Sequence, residues 1–204
     1  MEFYCFPGSC ALAPHIVLEW LGADFDAVRI EKGDPDYLKI NPLGVVPAID
    51  YNGKLYTQAD AILHWLSASN PDAQLAGDGT PETEYEITNW MAFLTGDLHP
   101  AFFPFFNPQR YTVDPDGIAD ANAAGQLLVA KFYDYLETHL ADRDFMVGDR
   151  RSIVDACAIP MLRRGRLLDR PLREYPALSA YLRRFEADEG VRNALKEQGL
   201  INAR

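Results

Sequence analysis

The sequence predicts an α/β N-terminal domain over residues 1–72, followed by an all-α C-terminal domain over 82–204, the two joined by a linker at 73–81. Three observations carry this. The first 70 residues mix period-2 and period-3.6 apolar patterns, a turn-rich stretch from Asn70 to Pro81 comes next, and beyond it only the helical period recurs.

Each element has its own signal. Glu2 to Phe6 reads as a strand that Pro7-Gly8 breaks, and Leu12, Ile16, Val17 and Trp20 then recur at helical spacing until Leu21-Gly22. Phe25 to Ile30 alternates as a second strand, giving a strand–helix–strand unit suited to a right-handed parallel crossover. Asp34 to Leu38 suggests a turn of helix and Asn41-Pro42-Leu43-Gly44 a loop. Val45 to Asp50 and Lys54 to Thr57 flank Asn52-Gly53, the signature of a hairpin. Pro47 cannot donate to a strand ladder, so it marks a strand start or a turn, and a cis Val46-Pro47 bond would account for it. From Asp60, the residues Ala61, Ile62, Trp65 and Leu66 share a helical face.

In the second half, long amphipathic helices are expected from Thr83 and from Ile118 to Leu140, with shorter ones from Ile153, Pro176 and Val191. Ser152-Ile153-Val154-Asp155 has the form of a capping box, read as the start of a buried helix. Leu98 to Phe106 crowds four phenylalanines between prolines and is expected to be a helix end or a loop, either core or the wall of an apolar ligand site.

Composition narrows the function classes. A net charge of −11 argues against nucleic acid or an anionic membrane surface as the main partner. No apolar run reaches the roughly 20 residues of a membrane span, and the N-terminus lacks a leader-like pattern, so a cytoplasmic protein is expected. Cys5, Cys10 and Cys157 suit neither a disulfide framework nor a zinc site, and the four histidines show no paired-ligand spacing, so no metal is expected. The one basic cluster, Arg150, Arg151, Arg163, Arg164, Arg166, Arg170 and Arg173, could face an anionic ligand, but a solvated helix face is the commoner reading and no function is assigned to it.

The chemistry centres on Cys10, at or near the N-terminus of the first helix. Unpaired amides and the helix dipole there favour a thiolate and can lower a cysteine pKa from about 8.5 to roughly 3.5–7.5. Burial as a small apolar residue is the competing reading.

Taken together, Phe6-Pro7-Gly8-Ser9-Cys10-Ala11-Leu12-Ala13-Pro14-His15-Ile16, Asn41-Pro42-Leu43-Gly44-Val45-Val46-Pro47-Ala48, Thr57-Gln58-Ala59-Asp60-Ala61-Ile62 and the Ser152–Asp155 cap resemble the cytosolic glutathione transferases. The cysteine of the first motif points to the bacterial beta class. The resemblance implies a thioredoxin-like first domain, an all-helical second domain, a homodimer, glutathione as co-substrate and a small-molecule second substrate in a cleft between the domains. It assigns Cys10 to the glutathione sulfur, Val46 and Pro47 to its cysteinyl part, and Gln58 with the Ala59 amide to the γ-glutamyl group. His99 would lie near the sulfur, and Asp97 would reach the partner subunit's ligand.

Departures from the family pattern are equally specific. Ala59 replaces a serine, a loss of one hydrogen bond to a charged group that costs roughly 1.5–3 kcal/mol. Cys5 stands for a tyrosine, Ala11 for a serine, Ala92 for an asparagine and Pro100 for a lysine, and Lys32 is only a loose match for a glutathione-contacting lysine. Two hypotheses result: a transferase acting by conjugation or by thiol–disulfide exchange through Cys10, and a transferase-like binding or scaffold protein without turnover. A cysteine can form a mixed disulfide where a hydroxyl cannot, so exchange through a Cys10 thiolate is expected to exceed conjugation. Cys5 is expected to be buried rather than to act as a resolving thiol.

Overall fold

The computed structural model describes residues 1–202, so the expected end of the helical domain at 204 lies outside the described residues. Four short strands, β1 (Glu2–Cys5), β2 (Asp26–Arg29), β3 (Ala48–Tyr51) and β4 (Lys54–Thr57), form one mixed sheet in the order β2-β1-β3-β4. β1 runs parallel to β2 and antiparallel to β3, with Phe3 opposite Ala27 on one side and Ile49 on the other. The β3–β4 hairpin turns at Asn52-Gly53, both with positive φ (54° and 74°), the conformation that an Asn-Gly turn supplies.

Side chains alternate across β1, and this alternation sets the layers. Phe3 meets His15 of α1 (Leu12–Leu21) at a ring separation of 5.2 Å, whereas Tyr4 meets Tyr37 of α2 (Pro35–Ile40) at 5.3 Å, so the two helices cover opposite faces. α1 ends at Gly22, whose φ of 58° lets the Gly22 and Ala23 amides close back on the Glu19 and Leu18 carbonyls. α3 (Ala59–Ser69) packs beside α1 and completes the α/β unit.

The chain then crosses to the helices. α4 (Pro81–Ala92) runs on through a wider π turn at Phe93–Leu98 into the short α5 (His99–Ala101) and α6 (Phe103–Phe106). Of the two expectations for this run, the helix end holds and the loop does not: the helical stretch closes at Phe106, with Pro100 and Pro104 each in the first turn of a short helix. Next come α7 (Pro115–His139), α8 (Ile153–Arg163), α9 (Pro176–Glu186) and α10 (Glu189–Glu197).

α8 is the centre of the molecule, buried from Ile153 to Leu162 and packed against α1, α3, α4 and α9. Its start is the expected capping box: the Val154 amide donates to Ser152 Oγ at 3.2 Å, and the Ser152 amide donates to Asp155 Oδ2 at 2.7 Å. A helix buried on every side can hide its N-terminus only because these groups satisfy it.

Candidate active site

Pro7 and Gly8 turn the chain out of β1, and Ser9 organises the entry into α1. Its hydroxyl donates to the Phe6 carbonyl at 2.7 Å and accepts the Ala11 amide at 3.2 Å, so Ser9 caps the turn from which α1 grows. Cys10 lies in that turn, two residues before the first α-helical residue.

The Cys10 thiol donates to the Val46 carbonyl at 3.4 Å. Burial pushes its pKa up; the Arg164 guanidinium and its own backbone amide pull the other way. The expected thiolate of the free protein is therefore corrected to a neutral thiol. The thiol's one hydrogen-bond partner is a carbonyl, and desolvation outweighs the Arg164 charge and the backbone amide. Cys5 is buried, with its thiol pushed up to about 11 by burial first of all, as its expected structural place requires.

Val46 stands one residue before cis-Pro47, in the loop between α2 and β3. Two side chains pin this loop: Tyr37 Oη and Asn41 Nδ2 both donate to the Val45 carbonyl, at 2.7 and 2.8 Å. The Val46 backbone is thereby held against the Cys10 turn. Gln58 adopts a left-handed φ of 71° at the N-cap of α3, and Ala59 begins the helix, so an exposed side chain and a helix N-terminus lie side by side. Asp60 belongs to the same turn, and its buried Oδ1 has no hydrogen-bond partner.

Gly8 and α1 are also braced from the far end of the chain. The Gly8 amide donates to Gln198 Oε1 at 3.3 Å, and Gln198 Nε2 pairs with His15 Nδ1 at 3.1 Å. His15 Nε2 pairs with Glu197 at 2.9 Å. Since the Gln198 oxygen is already an acceptor, its amide nitrogen is the donor to Nδ1, which leaves the single imidazole proton on Nε2. Burial lowers the His15 pKa against the opposing pull of Glu197, in keeping with a neutral ring. His15, Glu19 and Glu197 place one possible metal ligand each within 4.8 Å of one another, but both His15 nitrogens are occupied by this network.

The helical wall supplies His99, Asp97 and the aromatic run. His99 meets Phe103 edge-on at 5.1 Å, and burial, with the Arg164 charge adding, presses its pKa down to about 3. Asp97 is exposed on the π turn. Phe102 is fully buried, while Phe106 is 48% exposed. Arg164, which the sequence placed on a solvated basic face, is corrected to a buried residue, 6% exposed, in the 3-10 turn after α8. Its charge acts on Cys10 of the first domain and on His99, Tyr133 and Cys157 of the helical one. Lys32 is exposed.

Cys10 meets the carbonyl before cis-Pro47 directly, Gln58 and Ala59 begin α3, which packs beside α1, and the buried Arg164 charge reaches both Cys10 and His99. Family models for the N-terminal and C-terminal domains of glutathione S-transferase match residues 8–69 and 96–189. "Glutathione S-transferase GST-4.5" of Xanthomonas campestris pv. campestris is 34% identical over 203 residues, 98% of this chain and 100% of that one. A beta class glutathione S-transferase of Sphingomonas chungbukensis superposes with a TM-score of 0.87 at 35% identity, covering 98% of this chain and 100% of its own. A sphingomonad glutathione S-transferase solved in complex with glutathione gives 0.86 at 34% identity, with coverage of 98% and 100%. The chain belongs to the glutathione S-transferase family, and it resembles the bacterial beta class. Among the described residues no helix is long and apolar enough to cross a membrane.

Proposed function

We propose that this chain is a glutathione transferase that holds glutathione across Cys10, Val46–Pro47 and Gln58–Ala59 and delivers its sulfur to a small electrophile. The observation that carries the reading is the contact of the Cys10 thiol with the carbonyl before cis-Pro47. A peptide-like ligand laid antiparallel to Val46 brings its own cysteine sulfur to Cys10, while its γ-glutamyl end meets the start of α3. The relatives bearing the transferase name favour turnover over a binding or scaffold role.

A neutral Cys10 is a hydrogen-bond donor, and this selects between the two chemistries. In conjugation the glutathione thiol loses its proton to solvent, the thiolate attacks the electrophilic carbon, a carbon–sulfur bond forms and the leaving group departs. Before that attack, Cys10 S–H leaves the Val46 carbonyl and donates to the glutathione thiolate, holding it until the carbon–sulfur bond forms. In exchange, Cys10 must itself ionise, attack oxidised glutathione and release one glutathione thiolate. The raised pKa of Cys10 favours conjugation at neutral pH and moves exchange to alkaline pH.

Calorimetry with glutathione tests the binding: no heat at millimolar glutathione would sink this function. Mass spectrometry of Cys10 after oxidised glutathione, at pH 7 and pH 9, tests the chemistry. Modification confined to the higher pH is expected.

Asp97 on the exposed π turn is assigned to a partner subunit's ligand, and a homodimer in the cytoplasm is the proposed working form. Exposed Tyr85 on α4 and Leu127 and Tyr135 on α7 supply apolar surface for a second copy. Sedimentation giving only one chain's mass, 22.9 kDa, would count against it.

A further inference from the structure

Arg164 is a buried cation with no carboxylate partner among the described residues. Arg150, Arg151, Arg163, Arg170 and Arg184 each meet a carboxylate, whereas Arg164 has none among the described residues. Its Nη1 donates to the Met161 sulfur at 3.3 Å, a weak acceptor. Its Nε is sealed from solvent, and neither Nε nor Nη2 has an acceptor among the described residues. The guanidinium carbon lies 5.9 Å from the Phe102 ring centroid and 5.1 Å from that of Phe106. Aromatic faces hold a cation in place but do not neutralise it.

This is the reverse of how proteins treat buried charge, which is paired or removed. An arginine kept in the interior without a carboxylate partner matches one ligand chemistry well: an anion such as a carboxylate, taken by a charge-assisted hydrogen bond at the Nη2 end, since Nε is sealed. The location says which substrate brings it. The carboxylates of glutathione belong to the α3 end of the site, while Arg164 stands on the helical wall beside the half-exposed Phe106. With the chain at −11 overall, an anionic substrate gains nothing from long-range attraction and depends on a local cation.

We propose that Arg164 is the anion receptor of the second-substrate half of the cleft, so that the acceptor substrates of this enzyme are carboxylate-bearing aromatic or alkyl electrophiles. Phe106 packs on the apolar part and the Nη2 end of Arg164 takes the carboxylate. The inference rests on the transferase reading for its turnover assay, but its binding assay does not.

The binding assay is calorimetry with 3-nitrobenzoate, which is unreactive, and with its methyl ester. The wild-type protein should prefer the carboxylate, and Arg164→Gln should reduce that preference about 10- to 100-fold, the weight of a charge-assisted pair. Arg164→Lys, which keeps the charge on a shorter side chain, should fall between. The turnover assay uses 4-chloro-3-nitrobenzoate and its methyl ester, from which glutathione thiolate displaces chloride. The ratio of their kcat/KM values, each corrected for the uncatalysed rate, should drop by a similar factor in Arg164→Gln. Ratios are insensitive to a general loss of folded protein. A carboxylate-to-ester ratio unchanged by Arg164→Gln in the binding assay overturns the proposal, whether or not the enzyme turns over. No binding of glutathione by the wild type, with 3-nitrobenzoate still retained through Arg164, overturns the transferase reading and leaves the receptor standing.

Discussion

Two charged residues bracket the central helix α8, and the protein treats them in opposite ways. Asp155, in its first turn, is fully buried and collects four donors: the Met146 amide at 2.8 Å, the Ser152 amide at 2.7 Å, the Ser152 hydroxyl at 2.9 Å and the Tyr181 hydroxyl at 2.6 Å. Arg164, just past its last turn, is nearly as buried and has a sulfur and two aromatic rings. A saturated buried charge fixes a fold, because every one of its hydrogen bonds is already made in the absence of ligand. An unsaturated one is a cost the folded state carries until something binds.

The largest expected effect falls on the saturated side. Asp155→Asn replaces an acceptor of four donors by an amide that faces at least one N–H with another N–H. The buried network around Ser152, Met146 and Tyr181 then loses its centre, and the unfolding free energy should fall by about 3–5 kcal/mol in a denaturant titration. A loss below about 1 kcal/mol would show that Asp155 is not the keystone of α8. Arg164→Gln should do the opposite: with no ion pair to break, it should leave stability unchanged or raise it.

The second prediction reads the uncompensated charge directly. Burial is the larger cause of the low His99 pKa of about 3, and the Arg164 cation adds to it. Between pH 6.5 and 3 the unfolded chain binds a proton on His99 that the folded chain does not. Stability therefore falls as pH falls through this window, by up to about 1.4 kcal/mol per pH unit from this group. His15 and His139 are shifted in the same direction, again chiefly by burial. His99→Asn should flatten the acid limb of the stability profile by its share. Arg164→Gln should raise the His99 pKa in an NMR titration, and Asp155→Asn should not; an unmoved His99 would mean that the guanidinium charge is neutralised in solution.

Which of these features the sequence reveals depends on how local the physics is. The capping box is four consecutive residues, the hairpin turn is two, and the first helix carries its own apolar stripe, so each is legible without its surroundings. Cys10 shows where local rules stop. The helix end that lowers a thiol pKa is visible in the sequence, but the walls that desolvate the sulfur come from elsewhere in the chain, and they decide the outcome. Arg164 sits among other arginines, six within a stretch of two dozen residues or fewer, and only packing singles out the one that is buried. Its signal is present only in part, in its closeness to the end of a helix that is apolar on every side. The prolines of the Leu98–Phe106 run do mark a helix end, but they do not reveal that the residues between them still take helical turns, because a proline in the first turn is tolerated.

A smaller effect sharpens the same contrast at the cap itself. Ser152→Ala removes the acceptor of the Val154 amide and one of the four donors to Asp155, but the Ser152 backbone amide still reaches Asp155. The expected cost is about 1–2 kcal/mol, less than for Asp155→Asn. Equal losses in the two variants would mean that the hydroxyl, rather than the carboxylate, holds the network.

The smallest expected effect tests whether saturation also matters at the active-site turn. Gln198 reaches that turn from the C-terminal end of the chain, accepting the Gly8 amide and donating to His15. Gln198→Leu keeps most of the volume and takes away both bonds, leaving the Gly8 amide and His15 Nδ1 to find other partners. Gly8 has a positive φ of 72° and lies at the turn's edge, so its amide can recover water, and a stability loss of only about 0.5–1.5 kcal/mol is expected. The more telling readout is local. If Gln198 steadies the turn that carries Cys10, hydrogen exchange of the Gly8 to Ala11 amides should quicken in the variant, and the alkylation rate of Cys10 should rise as its thiol spends more time away from the Val46 carbonyl. Exchange and alkylation both at wild-type values would show that Ser9 alone, through its two hydrogen bonds, holds the turn.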